Sequence, residues 1–185
     1  MQTWVFLLLV TMLLILFVIS SYNRLVRLRQ NVRESWSALE AELRRRYDLI
    51  PNLVETVKGY ASHERETLEQ VVNARNAAVA NIGPPESQAQ TEAALSGALG
   101  KLFALSESYP QLKASETFMQ LQKELAETEN RLSQARRFYN ANVREINTAV
   151  EAFPSALVAG TCGFHAEQYF EIEDAAARGP VSVKF

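Results

Sequence analysis

The sequence predicts an all-α protein: an N-terminal transmembrane helix continuing into an antiparallel up-down four-helix bundle, with a short irregular C-terminal tail. Three observations predict it. Trp4 to Ile19 is a run of sixteen residues interrupted only by Thr11, and no Asp, Glu, Lys or Arg precedes Arg24. From Leu25 onward apolar residues recur at steps of three and four, the period of one helix face. The strongest helix punctuation falls at few points, namely Pro51, Gly83-Pro84-Pro85, Pro110 and Pro154. The bounds that follow are 1–22 for the span, 23–153 for the bundle and 154–185 for a juxtamembrane tail.

Crossing ~30 Å of hydrocarbon takes about 20 mainly apolar helical residues. Thr3 to Tyr22 supplies them if Ser20, Ser21 and Tyr22 sit at the interface. Trp4 and Tyr22 lie near the two ends, where amphipathic rings prefer to be. The rival reading is a cleaved signal peptide, which needs a basic start and a small-x-small cleavage site. Met1 to Thr3 carries no basic side chain, nothing near Ser20 resembles Ala-x-Ala, and no cysteine follows for a lipid anchor. An uncleaved span fits better. Arg24, Arg27, Arg29 and Arg33 follow at once, and cationic residues beside a span stay in the cytoplasm. The expectation is an outside N-terminus and a cytoplasmic bundle. The same arginines reach anionic lipid headgroups or form a solvated helix face.

Charge divides the rest. Arg24 to Arg46 holds seven Arg against three Glu, whereas Tyr47 to the end holds 12 basic and 18 acidic residues. An acidic body argues against nucleic acid as a partner. Cys162 is the one cysteine, which excludes an intrachain disulfide and a cysteine metal cluster.

The first helical segment runs from about Tyr22 to Arg46. Leu25, Leu28, Val32, Trp36, Leu39, Leu43, Tyr47 and Ile50 give an 11-residue repeat, which favours a nearly straight or slightly right-handed course. No breaker separates it from the span, so one long helix projects from the bilayer. Pro51 predicts a break over Asp48–Asn52, because proline cannot donate a backbone bond and restricts the residue before it. A second segment then covers about 52–82, with Val54, Val57, Ala61, Leu68, Val72, Val79 and Ile82 on one stripe. The third begins near Ser87 as N-cap and ends at Tyr109. Its Gly97 and Gly100 call for close approach of a neighbour or for a local break. The fourth covers about Glu116 to Phe153, with Ser115 as N-cap. Val181 to Phe185 alternates like a short extended piece with no evident strand partner.

Four antiparallel helices bring the end of the fourth back to the bilayer. Phe153 to Phe164 therefore lies near the membrane surface, and this segment has no charged residue. Contact with lipid, contact with a neighbouring subunit, and folding back on the bundle all remain open.

Few side chains suggest chemistry. His63-Glu64-Arg65-Glu66 is not the zinc-protease HExxH, and neither histidine follows a Glu by three positions as in di-iron bundles. The sequence predicts no catalytic residue, metal or cofactor. Glu64 and Arg75 continue the apolar stripe of the second segment. With the turn at Asp48, Glu64 falls level with Arg33, so either Glu64 and Arg33 form a partly buried pair or the stripe rotates and both stripe charges face water. Arg44, Arg45 and Arg46 point to different sides of one helix. They complement its C-terminal dipole or contact an acidic partner or anion.

The strings RRRYDLIPNLVETVKGYASHE (44–64), VVNARNAA (71–78), ESYPQLKASETFMQLQKEL (107–125), ETENRLSQARRFYNANVREIN (127–147) and FPSALVAGTCGF (153–164) together resemble the LemA family. The resemblance implies a bacterial inner-membrane protein with one N-terminal span and an antiparallel four-helix domain. It implies no reaction, cofactor or substrate. The matched residues Tyr47, Asp48, Pro51, Asn52, Gly59, His63, Glu64, Arg75, Glu129, Asn130, Arg136, Tyr139 and Asn140 bring no catalytic assignment. The expected function is a non-enzymatic membrane-tethered scaffold that self-associates or organises membrane components. Its expected partners are the lipid bilayer, further copies of the chain as a homo-oligomer, and membrane or cytoplasmic proteins. The alternative is a sensory or ligand-binding bundle with a pocket lined by Tyr139, Asn140 and Arg136.

Overall fold

The computed structural model describes residues 2–171. Its elements are α1 (Gln2–Tyr60), α2 (Arg65–Ala80), α3 (Pro85–Ser106), α4 (Pro110–Lys113), α5 (Glu116–Glu151) and α6 (Ser155–Cys162), and no strand occurs among the described residues. The extended piece expected at Val181–Phe185 lies outside them.

α1 is one helix of 59 residues, about 90 Å long at 1.5 Å per residue. Its N-terminal part is long and apolar enough to cross a membrane, and none of that part is buried against the rest of the chain. Beyond it the 11-residue stripe faces inward: Leu25, Leu28, Val32, Leu39, Leu43, Tyr47 and Ile50 are all buried, with Trp36 packed at the edge.

The break expected over Asp48–Asn52 does not occur. α1 passes through Pro51 and ends at Tyr60. A proline inside a helix leaves the carbonyl four residues earlier without its donor. Here that carbonyl belongs to Tyr47, and Arg75 Nε donates to it at 2.9 Å from α2. The apolar stripe also stays in phase across the proline, through Ile50, Val54, Val57 and Ala61, all buried. Packing and a replacement donor outweigh the local cost. The connection falls instead at 61–64, where Ala61 N–H still bonds Val57 C=O and Glu64 N–H bonds Ala61 C=O.

α2 is accordingly shorter than the 52–82 expected. Leu68, Val71 and Ala78 face inward, while Val72, Val79 and Ile82 are exposed. Asn81 closes the α2–α3 connection: its Oδ1 accepts from Gly83 N–H at 2.9 Å and its Nδ2 donates to the Ser87 carbonyl at 3.0 Å. Pro84, not Ser87, holds the N-cap position of α3. Gly97 and Gly100 lie in an unbroken helix with nothing within 4 Å of where a Cβ would stand, so neither close approach nor a break accounts for them. Ser115 caps α5 as expected, accepting from Phe118 N–H.

α1 is the spine. α2 returns along its far half, α3 runs out again beside α2, α4 turns the chain, and α5 descends antiparallel to α1 with Tyr139 against Trp36, ring centroids 5.2 Å apart. α6 then packs on α5 and on α1, and Phe164 just beyond it meets Tyr22 at the end of the apolar segment. Gly163, at φ 70°, ends α6 in the left-handed conformation that suits glycine. Phe164 N–H bonds Ala159 C=O across that end at 3.0 Å. The chain to Glu171 then lies extended on the bundle, with Phe164 and Phe170 buried.

Candidate functional site

The concentrated polar feature of the interior is built around Arg46. Three consecutive arginines on a helix cannot share a face, and the stripe phase turns the third inward. Arg44 and Arg45 are exposed, whereas Arg46 is 1% exposed. Its Nη1 lies 3.2 Å from Glu92 Oε2 of α3, and its Nη2 donates to Ser96 Oγ at 2.8 Å. Its Nε is 3.0 Å from Glu129 Oε1 of α5 without being aligned as a hydrogen bond, so that contact is an ion pair only. Tyr47 Oη donates to Glu92 Oε1. With Arg75 on the Tyr47 carbonyl, α1, α2, α3 and α5 all meet at two adjacent residues.

Burial pushes the Glu92 carboxyl above the usual range, the Tyr47 hydrogen bond and the Arg46 charge pull it back, and Glu129 adds to the rise. The Tyr47 hydroxyl is raised by burial, then by its bond to Glu92 and by that group's charge. A buried, hydrogen-bonded ion pair fixes arrangement more than it adds net stability. Beside it, a cavity of about 360 Å³ lies between α3 and α5, lined by Leu99, Gly100, Phe103, Leu125 and Ala126, with Arg46, Ser96 and Glu129 also on its wall.

A second constellation straps residues 164–171 to the bundle. Asn147 gives Nδ2 to the Glu167 carbonyl at 3.0 Å and takes the Glu167 N–H on Oδ1 at 2.8 Å. Asn140 does the same for Phe170, at 3.1 and 2.9 Å. Each carboxamide stands in for a neighbouring β-strand. The spacing fits: seven helical residues cover ~10.5 Å, and three extended residues cover ~10 Å. Tyr139 Oη donates to the Gln168 carbonyl at 2.8 Å, and burial with the nearby Glu167 charge pushes its pKa up to about 12. Phe170 packs against Trp36 at 6.0 Å.

The other anticipated residues separate. Trp4, Tyr22, Arg24 and Arg27 are exposed along α1. Phe153 is 83% exposed. Phe164, expected at the membrane interface, is buried instead, edge-on to Tyr22 at 5.8 Å and beneath the Arg29 guanidinium at 4.8 Å. The Glu64–Arg33 pair does not form. Moving the turn from Asp48 to 61–64 carries Glu64 roughly 40 Å along α1 from Arg33. Glu64 accepts from Tyr109 Oη at 2.9 Å, and Arg33 is exposed. The Arg46 guanidinium is already engaged by Glu92, Ser96 and Glu129 and does not reach the outer surface. The pocket envisaged at Tyr139 and Asn140 is filled by the strap. His63 and His165 are exposed, and among the described residues no group of three His, Cys, Asp or Glu could hold a metal ion.

Sequence reasoning missed Glu92, Ser96 and Asn147. A signal for Glu92 was present: with Leu95, Leu99 and Leu102 it forms one stripe at steps of three, four and three. Asn147 follows Asn140 by seven residues, the same face of one helix.

Three curated relatives are similar to this chain in sequence. "Magnetosome protein MamQ" of Magnetospirillum gryphiswaldense is 25% identical over 174 residues, 80% of this chain and 64% of the relative. "Magnetosome protein MamQ 1" of Paramagnetospirillum magneticum is 23% identical over 175 residues, 81% and 64%. "Protein LemA" of Metamycoplasma hominis is 28% identical over 141 residues, 74% and 63%. The chain thus spans a little under two thirds of the length of these relatives. Residues 35–185 match the sequence model of the LemA family. That match takes in most of the chain beyond the apolar segment, and the chain belongs to the LemA family.

Proposed function

We propose that this chain is a non-enzymatic, membrane-tethered helical scaffold that self-associates or organises components of a bacterial cytoplasmic membrane. One observation carries the reading: α1 runs without interruption from the apolar segment into the bundle core, so anchor and bundle form a single rod. The interior polar groups support it, because Arg46, Tyr47 and Glu92 bond one another and Tyr139, Asn140 and Asn147 hold the strap. Exposed Val72 and Val79 of α2, with Ile82 just beyond its end, offer apolar surface for a second copy. The orientation, N-terminus outside and bundle in the cytoplasm, rests on Arg24, Arg27, Arg29 and Arg33 at one end of the span.

Light scattering of the full chain in mild detergent tests self-association. The expected mass corresponds to two or more copies. A strict monomer at native expression, together with no cross-linked partner in cells, overturns the scaffold. A Cys162→Ser chain carrying Ser108→Cys tests orientation: an impermeant thiol reagent leaves it unlabelled in intact cells. The second reading, a ligand-binding bundle, draws on the cavity between α3 and α5. A small molecule that raises Tm, with the rise lost in Gly100→Leu, favours it.

A further inference from the structure

The structure assigns α6 a second contact with the bilayer: we infer that Phe153 and Leu157 enter the interfacial zone of the membrane beside the span. The level of α6 follows from helix geometry. Trp36 packs against Tyr139. Counting toward the membrane, fourteen residues reach Tyr22 on α1 and twelve reach the end of α5 at Glu151, with Phe153 two residues beyond, so the descending chain arrives within one helical turn of the Tyr22 level. Direct contacts agree. Phe164, just past the end of α6, lies edge-on to Tyr22, α6 packs on α1, and Ser21 is where burial of α1 begins. Tyr22 closes the apolar segment, so the bilayer that holds that segment has its headgroups at the level of α6.

The chemistry of α6 suits that level. One side, Val158 and Ala159, faces the bundle, while Phe153 is 83% and Leu157 66% exposed. No residue from Phe153 to Phe164 is charged. The hydroxyls that would resist lipid are already engaged within the segment. Ser155 Oγ donates to the Ala152 carbonyl at 2.9 Å, and Thr161 Oγ1 to the Leu157 carbonyl at 3.0 Å. An uncharged helix whose exposed hydroxyl and half-buried serine are already bonded to its own backbone is what the interface accepts. Eight residues are too few to span, so α6 lies on the membrane and does not cross it. A span plus this wedge fixes the tilt and rotation of the rod, which a single span leaves free.

The inference rests on the anchor reading above, and one experiment separates the two. The full chain with Cys162→Ser is reconstituted into vesicles of phosphatidylcholine and phosphatidylglycerol. Single cysteines at Leu157, Phe153, Leu13 and Ser108 carry an environment-sensitive fluorophore. Circular dichroism verifies the helix content of each variant. The expected result is blue-shifted emission at positions 157 and 153, quenched several-fold by a doxyl group placed high on the acyl chain, with position 108 unshifted and unquenched. If position 13 is quenched while 157 and 153 emit like 108, the α6 contact is overturned and the anchor stands. If 157 and 153 are blue-shifted but unquenched, a second copy covers them and the lipid contact is equally overturned. If position 13 is unquenched even by a doxyl group placed low on the acyl chain, near the bilayer centre, the anchor itself fails.

Discussion

Arg75 Nε donates to the backbone carbonyl of Tyr47 at 2.9 Å, the carbonyl that Pro51, four residues on, leaves without a helical partner. One side chain from α2 thereby repairs the defect that a proline makes in α1.

The repair predicts a coupling between residues 75 and 51. Arg75→Ala leaves a partly buried carbonyl unsatisfied, and it destabilises the chain by about 1–3 kcal/mol. Pro51→Ala restores the missing N–H, so the same Arg75→Ala change in that background costs clearly less. Urea unfolding in detergent of the two single variants and the double variant measures the coupling. Equal cost in both backgrounds disproves the repair.

The Arg46–Glu92 pair predicts asymmetric deletions. Arg46→Met abandons a buried carboxylate and costs about 3–5 kcal/mol, whereas replacing both residues with Met costs much less. Thermal unfolding followed by circular dichroism distinguishes them. A double variant as unstable as the single one contradicts the pairing.

Glu92 also predicts a pH dependence. Its folded pKa stands above the unfolded value, mainly through burial. The folded state therefore holds the proton more tightly, and the stability that results is complete below the ordinary Glu pKa of ~4.3. It is lost as pH rises from there through the elevated folded value. Glu92→Gln keeps the neutral shape and removes the titration. The stability of the native chain minus that of Glu92→Gln should fall as pH rises from about 4, read from unfolding curves at each pH. A rising difference indicates a depressed carboxyl and a different electrostatic balance.

The strap predicts local release. Asn140→Ala and Asn147→Ala each remove two hydrogen bonds to extended backbone, worth about 1–3 kcal/mol together. In hydrogen exchange, the amides of Glu167 and Phe170 lose protection while the α1 core keeps it. Trp36 emission in a Trp4→Phe background shifts to the red as Phe170 leaves. Unchanged protection at 167 and 170 eliminates the strap.

At the membrane-distal end, Tyr109→Phe should speed exchange of the amides at 61–64, because the phenol no longer holds Glu64. Arg33→Ala should leave stability within about 0.5 kcal/mol, as for an exposed side chain with no ion-pair partner among the described residues. A large loss at Arg33 reinstates the pairing that the position of the turn rules out.

Periodicity and composition by themselves determined the apolar segment, the helical class, the Ser115 cap and the return of the last long helix toward the anchored end. These are local or near-local properties: a run of apolar residues, a capping hydroxyl, and stripes whose phase repeats along one helix. The strings that carry the family resemblance also contain Tyr47, Pro51, Arg75, Glu129, Tyr139 and Asn140, so much of the polar framework was on display before its partners were known. Pro51 marks where that reasoning ended. A proline reads as a break when its neighbours alone are weighed, and only the fold supplies Arg75, 24 residues later, to satisfy the Tyr47 carbonyl. Moving the turn to 61–64 then reset every register that depended on it, parting Glu64 from Arg33 and turning Arg46 onto Glu92 and Glu129. Which side chains meet across helices depends on register between distant segments, and register is decided by the sum of tertiary contacts and not by the preference of any one residue.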